Sequence, residues 1–131
     1  MENIPVLMRI RAAVRENRLS DPAKVPAEAY RAFIDGPGIW LCADGDSILG
    51  FSAADPADGT IWALFVDPAA EGRGIGADLL SRALNDLRRA GWDEARLSTG
   101  PGTRAERFYR RHGWNVAGQT EAGEKILFRA L

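Results

Sequence analysis

The stretch Val66-Asp67-Pro68-Ala69-Ala70-Glu71-Gly72-Arg73-Gly74-Ile75-Gly76 decides how this chain is read. An apolar run from Thr60 ends at Val66, Asp67-Pro68 breaks it, and a helical pattern begins near Ile75. Between the two, glycines stand on alternate positions, 72, 74 and 76. Lacking side chains, they let backbone N–H groups close on a ligand. A helix start adds unpaired N–H donors and a positive dipole end. That combination suits a phosphate or pyrophosphate, and Arg73 supplies a full positive charge beside it.

Downstream, Ile75, Leu79, Leu80, Ala83, Leu84 and Leu87 share one face of a helix over about Ile75 to Ala90, with Gly91 as its C-terminal cap. Glu94 to Thr99 reads as a strand. Thr103-Arg104-Ala105-Glu106 is a capping box that opens a helix to about His112, stopped by Gly113. Trp114 to Gly118 and Glu124 to Ala130 read as a closing antiparallel pair. Upstream, Ile39 to Ala43 and Ile48 to Ala54 flank the hairpin turn Asp44-Gly45-Asp46. Thr60 to Val66 is near-continuously apolar, as expected of a strand buried on both faces. Two helices precede these strands. The first is capped by Asn3 and carries the stripe Ile4, Leu7, Met8 and Val14; the second covers Pro26 to Ile34 and stops at Gly36-Pro37-Gly38. Tight turns make the early strands antiparallel, and the crossover through the long helix makes its flanking strands parallel. The class is α+β, with one mixed sheet.

With 131 residues the chain is expected to form a single domain, residues 1–131. Hydrophobic residues make 46% and charged residues 27%, which is a globular rather than a disordered composition. Seventeen Lys+Arg against 18 Asp+Glu give a net charge of −1, which argues against a nucleic-acid binder. The single cysteine, Cys42, and single histidine, His112, exclude an internal disulfide and leave no metal-ligand cluster. No apolar run approaches the roughly 20 residues of a membrane span. Met1-Glu2-Asn3 lacks the layout of a signal peptide, so a cytoplasmic location is expected.

Three kinds of anion loop compete for the glycine stretch. A P-loop ends in Gly-Lys-Ser/Thr, and this loop has no lysine. A dinucleotide fingerprint on Gly72, Gly74 and Ala77 wants an acidic residue at the end of the next strand, whereas Asp93 and Glu94 stand at its start. The third fits best. Glu71-Gly72-Arg73-Gly74-Ile75-Gly76 resembles the acyl-CoA pyrophosphate loop of the GNAT superfamily of N-acetyltransferases, Gln/Arg-x-x-Gly-x-Gly/Ala. Gly102-Thr103-Arg104-Ala105-Glu106-Arg107-Phe108-Tyr109-Arg110-Arg111-His112-Gly113-Trp114 resembles the same family's later Asn-x-x-Ala-x-x-Phe-Tyr-x-x-x-Gly-Phe run. The resemblance covers about Trp40 to Leu131.

The resemblance implies a GNAT fold: a central, mostly antiparallel mixed sheet flanked by about four helices, its first strand missing or reduced to Met1 to Asn3. The edge so exposed suits cover by a partner subunit, hence a homodimer. It implies transfer of an acetyl group from acetyl-CoA, without a metal, to a primary amine that attacks directly in a ternary complex. The non-enzymatic alternative is an acetyl-CoA-binding sensor or regulatory module. Cofactor contacts fall on Glu71, Gly72, Arg73, Gly74, Ile75 and Gly76 for the phosphates. Leu64, Phe65 and Val66 on the preceding strand serve the pantetheine arm, with Thr103 and Phe108 on the later motif. Tyr109 matches the family's general acid, which protonates the departing thiolate. The acceptor side is expected around Arg15, Glu16 and Asn17, with Trp40 facing it. Glu71 departs from the loop pattern, and its carboxylate should point away from phosphate. Gly102 stands where the family often has Asn, leaving a backbone contact or Thr103 to substitute.

Other features have simpler readings. Arg104, Arg107 and Arg111 fall on one helix face and could meet the ribose 3′-phosphate, although such a run is more often a solvated face. Trp62, Trp92 and Trp114 read as packing residues, Cys42 as a small hydrophobe, and His112 as a helix-end residue. No general base is assigned: Glu16 and Asp67 are candidates, and Asp67 is better placed to cap the turn before Pro68.

Overall fold

The computed structural model of the chain describes residues 4–13 and 27–131. Its elements run α1 (Ile4–Ala13), α2 (Ala27–Asp35), β1 (Trp40–Asp44), β2 (Ser47–Asp55), β3 (Thr60–Val66), a 3₁₀ turn (Pro68–Ala70), α3 (Ile75–Arg89), β4 (Glu94–Thr99), α4 (Arg104–Arg111), β5 (Asn115–Gln119) and β6 (Lys125–Ala130). The strands form one sheet in the order β1-β2-β3-β4-β6-β5. Every neighbouring pair is antiparallel except β3 and β4, which are parallel across the α3 crossover. This mixed sheet is the one the turn lengths dictate.

The sheet is covered on both faces, and extra residues in the ladders settle which side chain goes where. Between β2 and β3, Ala53 pairs with Ala63 but Ala54 pairs with Ile61, so Trp62 is one residue too many. The slip turns Ile61 toward α3, while Ala63 and Phe65 face α1 and α2. On the first face Ile4, Leu7 and Ile10 of α1 and Tyr30 of α2 pack on Phe51, Ala63 and Phe65. Trp62 is stacked on Phe33 at 4.1 Å and meets Tyr30 edge-on at 5.3 Å. On the other face α3 buries Leu79, Leu80, Ala83, Leu84 and Leu87. Each of those leucines is worth about 1.5–3 kcal/mol of burial, so tertiary packing rather than propensity holds α3.

One expectation needs correction. β3 is not buried on both faces: Ile61, Ala63 and Phe65 are buried, but Trp62, Leu64 and Val66 are only partly so. The cause lies beside it. β3 and β4 share a single register pair, Thr60 opposite Arg96, supported by the Arg96 N–H donating to the Gly59 carbonyl. Beyond that point the strands part. β4 continues to pair with β6, β3 with β2, and among the described residues the β4-facing edge of residues 62–66 has no strand partner.

Candidate active site

The parting of β3 and β4 opens a cleft of about 1070 Å³. Its floor is Leu64, Phe65 and Val66; one wall is the loop and first turn of α3, the other α4. The sequence builds the loop wall step by step. Asp67 ends β3 and caps the 3₁₀ turn, its carboxylate accepting the Ala69 N–H at 3.0 Å. Asp67 is therefore a turn-capping residue. Gly72 and Gly74 then take φ of 83° and 78°, a left-handed backbone that side chains resist. Gly74 is the N-cap of α3 and offers no side-chain cap. The first-turn N–H groups of Ile75, Gly76 and Ala77 lack intrahelical partners by geometry, and these residues line the cleft. A Cβ on Gly76 would sit 3.4 Å from the Phe108 ring, in van der Waals contact, so the start of α3 and α4 lie one methyl group apart there.

On the opposite wall, Thr103 caps α4. Its hydroxyl donates to the Gly100 carbonyl at 2.7 Å and accepts the Glu106 N–H at 3.1 Å. Buried Glu106 returns the favour, accepting the Gly102 N–H at 2.7 Å. Its carboxylate also meets Lys125 Nζ at 3.1 Å and Arg110 at 3.5 Å. The Gly102 N–H, ahead of Lys125 and Arg110, holds the Glu106 carboxyl below the usual carboxylate range against the opposing effect of burial. This box fixes the pitch of α4 and with it the positions of Phe108 and Tyr109. It also commits both groups expected to replace the missing asparagine: the Gly102 N–H serves Glu106, and the Thr103 hydroxyl is spent on the cap.

Tyr109 lies in the cleft and is 7% exposed. It is packed edge-on against Phe108 at 5.4 Å and Trp114 at 5.5 Å. Burial pushes its hydroxyl well above the ordinary phenol value, so it keeps its proton throughout the physiological range. At the mouth, Arg104 is paired with Glu71 across the two walls. Glu71 therefore neither stands bare near a phosphate site nor offers a free N–H, which is turned onto the Pro68 carbonyl. Arg111 and His112 also line the mouth, His112 Nδ1 donating to the Phe108 carbonyl at 2.8 Å.

Leu64, Phe65, Val66, Glu71, Gly72, Gly74, Ile75, Gly76, Thr103, Phe108 and Tyr109 are thus brought to one cleft. Arg73 is not: it is exposed and outside the lining, because the left-handed glycines on either side present backbone rather than its side chain. Arg107 binds the Gly102 carbonyl and Arg110 binds Glu106, so the arginine face splits and only Arg104 and Arg111 reach the mouth. Trp40 is also off the cleft. Its Nε1 donates to Asp86 at 2.7 Å and Arg82 lies 5.2 Å from its ring, placing it on α3. Arg15, Glu16 and Asn17 lie outside the described residues. Among the described residues no His/Cys/Asp/Glu cluster could hold a metal ion, and no helix is long and apolar enough to cross a membrane.

A second, smaller hollow of about 170 Å³ continues from the cleft through the gap between β3 and β4. Leu64, Phe65, Thr99, Ala105 and Tyr109 line both. Arg11, Ser98 and Glu124 belong to this hollow and were not singled out from the sequence. The signal for Arg11 was present: it follows Ile4 by seven and Leu7 by four, which puts a cation on the buried stripe of α1.

The arrangement has counterparts. Residues 35–116 match the family model described as the acetyltransferase (GNAT) domain. Mycothiol acetyltransferase from Beutenbergia cavernae is 42% identical over 82 residues, covering 58% of this chain and 28% of that protein. The chain therefore spans little more than a quarter of that relative's length. Among solved structures, an acetyltransferase of the GNAT family from Staphylococcus aureus superposes with a TM-score of 0.79 at 18% identity, covering 99% of this chain and 94% of the other. The PaiA N-acetyltransferase of Thermoplasma acidophilum, in complex with coenzyme A, gives 0.71 at 17% identity over 99% and 94%. N-acetylglutamate synthase from Neisseria gonorrhoeae, complexed with coenzyme A and N-acetyl-glutamate, gives 0.80 at 19% identity over 100% and 33%. With the family model spanning well over half of its length, this chain belongs to the GNAT acetyltransferase family.

Proposed function

We propose that this domain transfers an acetyl group from acetyl-CoA to a primary amine, the amine attacking the thioester directly while both substrates are bound. The observation that carries the reading is the coincidence, in one cleft, of an uncapped helix N-terminus, an unpaired strand edge and a proton-holding phenol. The GNAT neighbours whose structures contain coenzyme A support it.

The residues present fit the co-substrate. The N–H groups at Gly72, Gly74, Ile75 and Gly76 suit the pyrophosphate, with the α3 dipole favouring its charge. The free edge of Leu64, Phe65 and Val66 can pair with the pantetheine amides as a strand would. Phe108 supplies apolar wall, and Arg111 with His112 offers cationic or donor groups at the mouth. In the reaction the amine nitrogen forms a bond to the thioester carbonyl carbon and the carbon–sulfur bond breaks. A backbone N–H near Phe65 or Val66 stabilises the oxyanion, Tyr109 protonates the departing thiolate, and the amine nitrogen gives up a proton. That proton leaves to solvent and the Tyr109 phenolate takes one back from solvent, so the enzyme is returned to its starting state.

The test is appearance of free thiol from acetyl-CoA with a panel of primary amines, alongside calorimetric titration of CoA. Binding with amine-dependent thiol release supports the enzyme. Binding without turnover on any amine makes the domain a CoA-binding module, and failure to bind CoA removes the reading altogether.

A further inference from the structure

We propose that Arg11 is an acceptor-binding residue, and that the amine acetylated by this domain carries a carboxylate: a free amino acid. The inference deepens the proposed N-acetyl transfer and rests on it. Arg11 projects from α1 onto the face of Phe65, 4.8 Å from its centroid, and lies 5.9 Å from that of Trp62. Its Nε and Nη1 are buried and have no hydrogen-bond partner, and no carboxylate stands within ion-pair distance, among the described residues. A guanidinium cannot shed its charge, and burying its donors unpaired is costly. The two rings offset part of that cost but take none of the N–H groups. Something with acceptor oxygens completes the site.

Its position says what. Arg11 lines the small hollow that runs through the β3–β4 gap and ends at Tyr109, on the face of the sheet away from α3 and α4. A group held by Arg11 therefore approaches the gap from the side opposite the α3 loop. The hollow, at about 170 Å³, suits a molecule of amino-acid size rather than a polypeptide segment. A planar, bidentate fork matches a carboxylate. Glu124 lines the same hollow and accepts a hydrogen bond from Ser98. The unpaired donors of Arg11 complement an amine that carries a carboxylate better than a simple amine or a polyamine.

The experiment compares free amino acids with their C-terminal amides, which keep the amine and lose the charge. Thiol release from acetyl-CoA is expected to favour the acids by about 10–100-fold in kcat/KM, the range of a charge-assisted hydrogen-bonded contact. Arg11→Met, whose stem still covers Phe65, should reduce the acids to the level of their amides with the KM for acetyl-CoA unmoved; Arg11→Lys should retain part of the preference. Equal use of acids and amides by the unaltered protein, or an equal loss on both in Arg11→Met, overturns the assignment while leaving acetyl transfer intact. If no amine is turned over, calorimetry of N-acetyl amino acids against N-acetyl amino amides in the presence of CoA still decides. Binding of the acids alone, abolished in Arg11→Met, upholds the carboxylate site, and binding of neither or of both alike sinks it.

Discussion

A phenol ionises near pH 10 in water, and burial of Tyr109 moves that step higher. The consequence for catalysis is that the hydroxyl is protonated whenever a thiolate departs beside it. Tyr109→Phe removes the proton and little else, since the ring keeps its edge contacts with Phe108 and Trp114. Turnover should fall by about 10²–10⁴ with calorimetric CoA affinity unchanged; a variant as fast as the parent removes the tyrosine from the mechanism. The same shift has a sign in stability. The folded phenol holds its proton more tightly than the unfolded one, so its contribution is complete below about pH 10 and declines as pH rises beyond it. Chemical denaturation at alkaline pH should therefore show a shallower loss in Tyr109→Phe than in the parent.

At the scale of the element, two glycines on one helix start do different work, and two substitutions separate them. Gly74 sits at φ 78° with open space where a Cβ would go, so Gly74→Ala meets only backbone strain. About 1–2 kcal/mol of stability should be lost, read from a urea midpoint. Gly76 is helical, and alanine there is favoured by up to about 1 kcal/mol, yet its methyl would stand 3.4 Å from the Phe108 ring. Gly76→Ala, which the loop pattern itself admits, should keep or raise the midpoint with CoA affinity unmoved in calorimetry; a lowered midpoint would show that the Phe108 ring cannot give way to the methyl. The facing element, α4, depends on Glu106. Its carboxyl pKa is depressed in the fold, so its stabilisation is present above the unfolded value near 4.5 and lost as pH falls through the folded one. Glu106→Gln keeps an acceptor for the Gly102 N–H but drops the charge opposite Lys125 and Arg110. It should cost about 1–3 kcal/mol at pH 7 and flatten the acid limb of a stability–pH profile; an unchanged limb would mean the ion pairs contribute nothing.

Over the whole molecule, legibility followed the range of the forces involved. The elements were readable because their signals are local: Asp44-Gly45-Asp46 for a hairpin, the Thr103–Glu106 box for α4, the leucine face for α3. The cleft loop was readable because glycine spacing is itself local geometry. What depended on two elements meeting was not. Arg73 looked like a phosphate ligand until the backbone turned it outward, and Trp40 was expected to face the acceptor until Asp86 and Arg82 of α3 took its ring; Arg11 stood legibly on the buried stripe of α1, but what it meets there was not legible because Phe65 is distant in sequence. The half-buried Leu64 and Val66 belong with these, since an apolar strand face open to a cleft has the same sequence as one closed by a core. That open face makes a prediction about the entire fold. A ligand seated along β3 and the α3 start should tie the two halves of the sheet, joined in the described residues by one β3–β4 register pair, into a single cooperative unit. At a hundred times its Kd, CoA should add about 2.7 kcal/mol, raising the melting temperature by roughly 10 °C. NAD, whose fingerprint the loop fails to match, should add nothing. A shift with NAD and none with CoA would reverse the identity of the loop, and equal shifts with inorganic pyrophosphate alone would confine the grip to the helix start and leave the free strand edge without a partner.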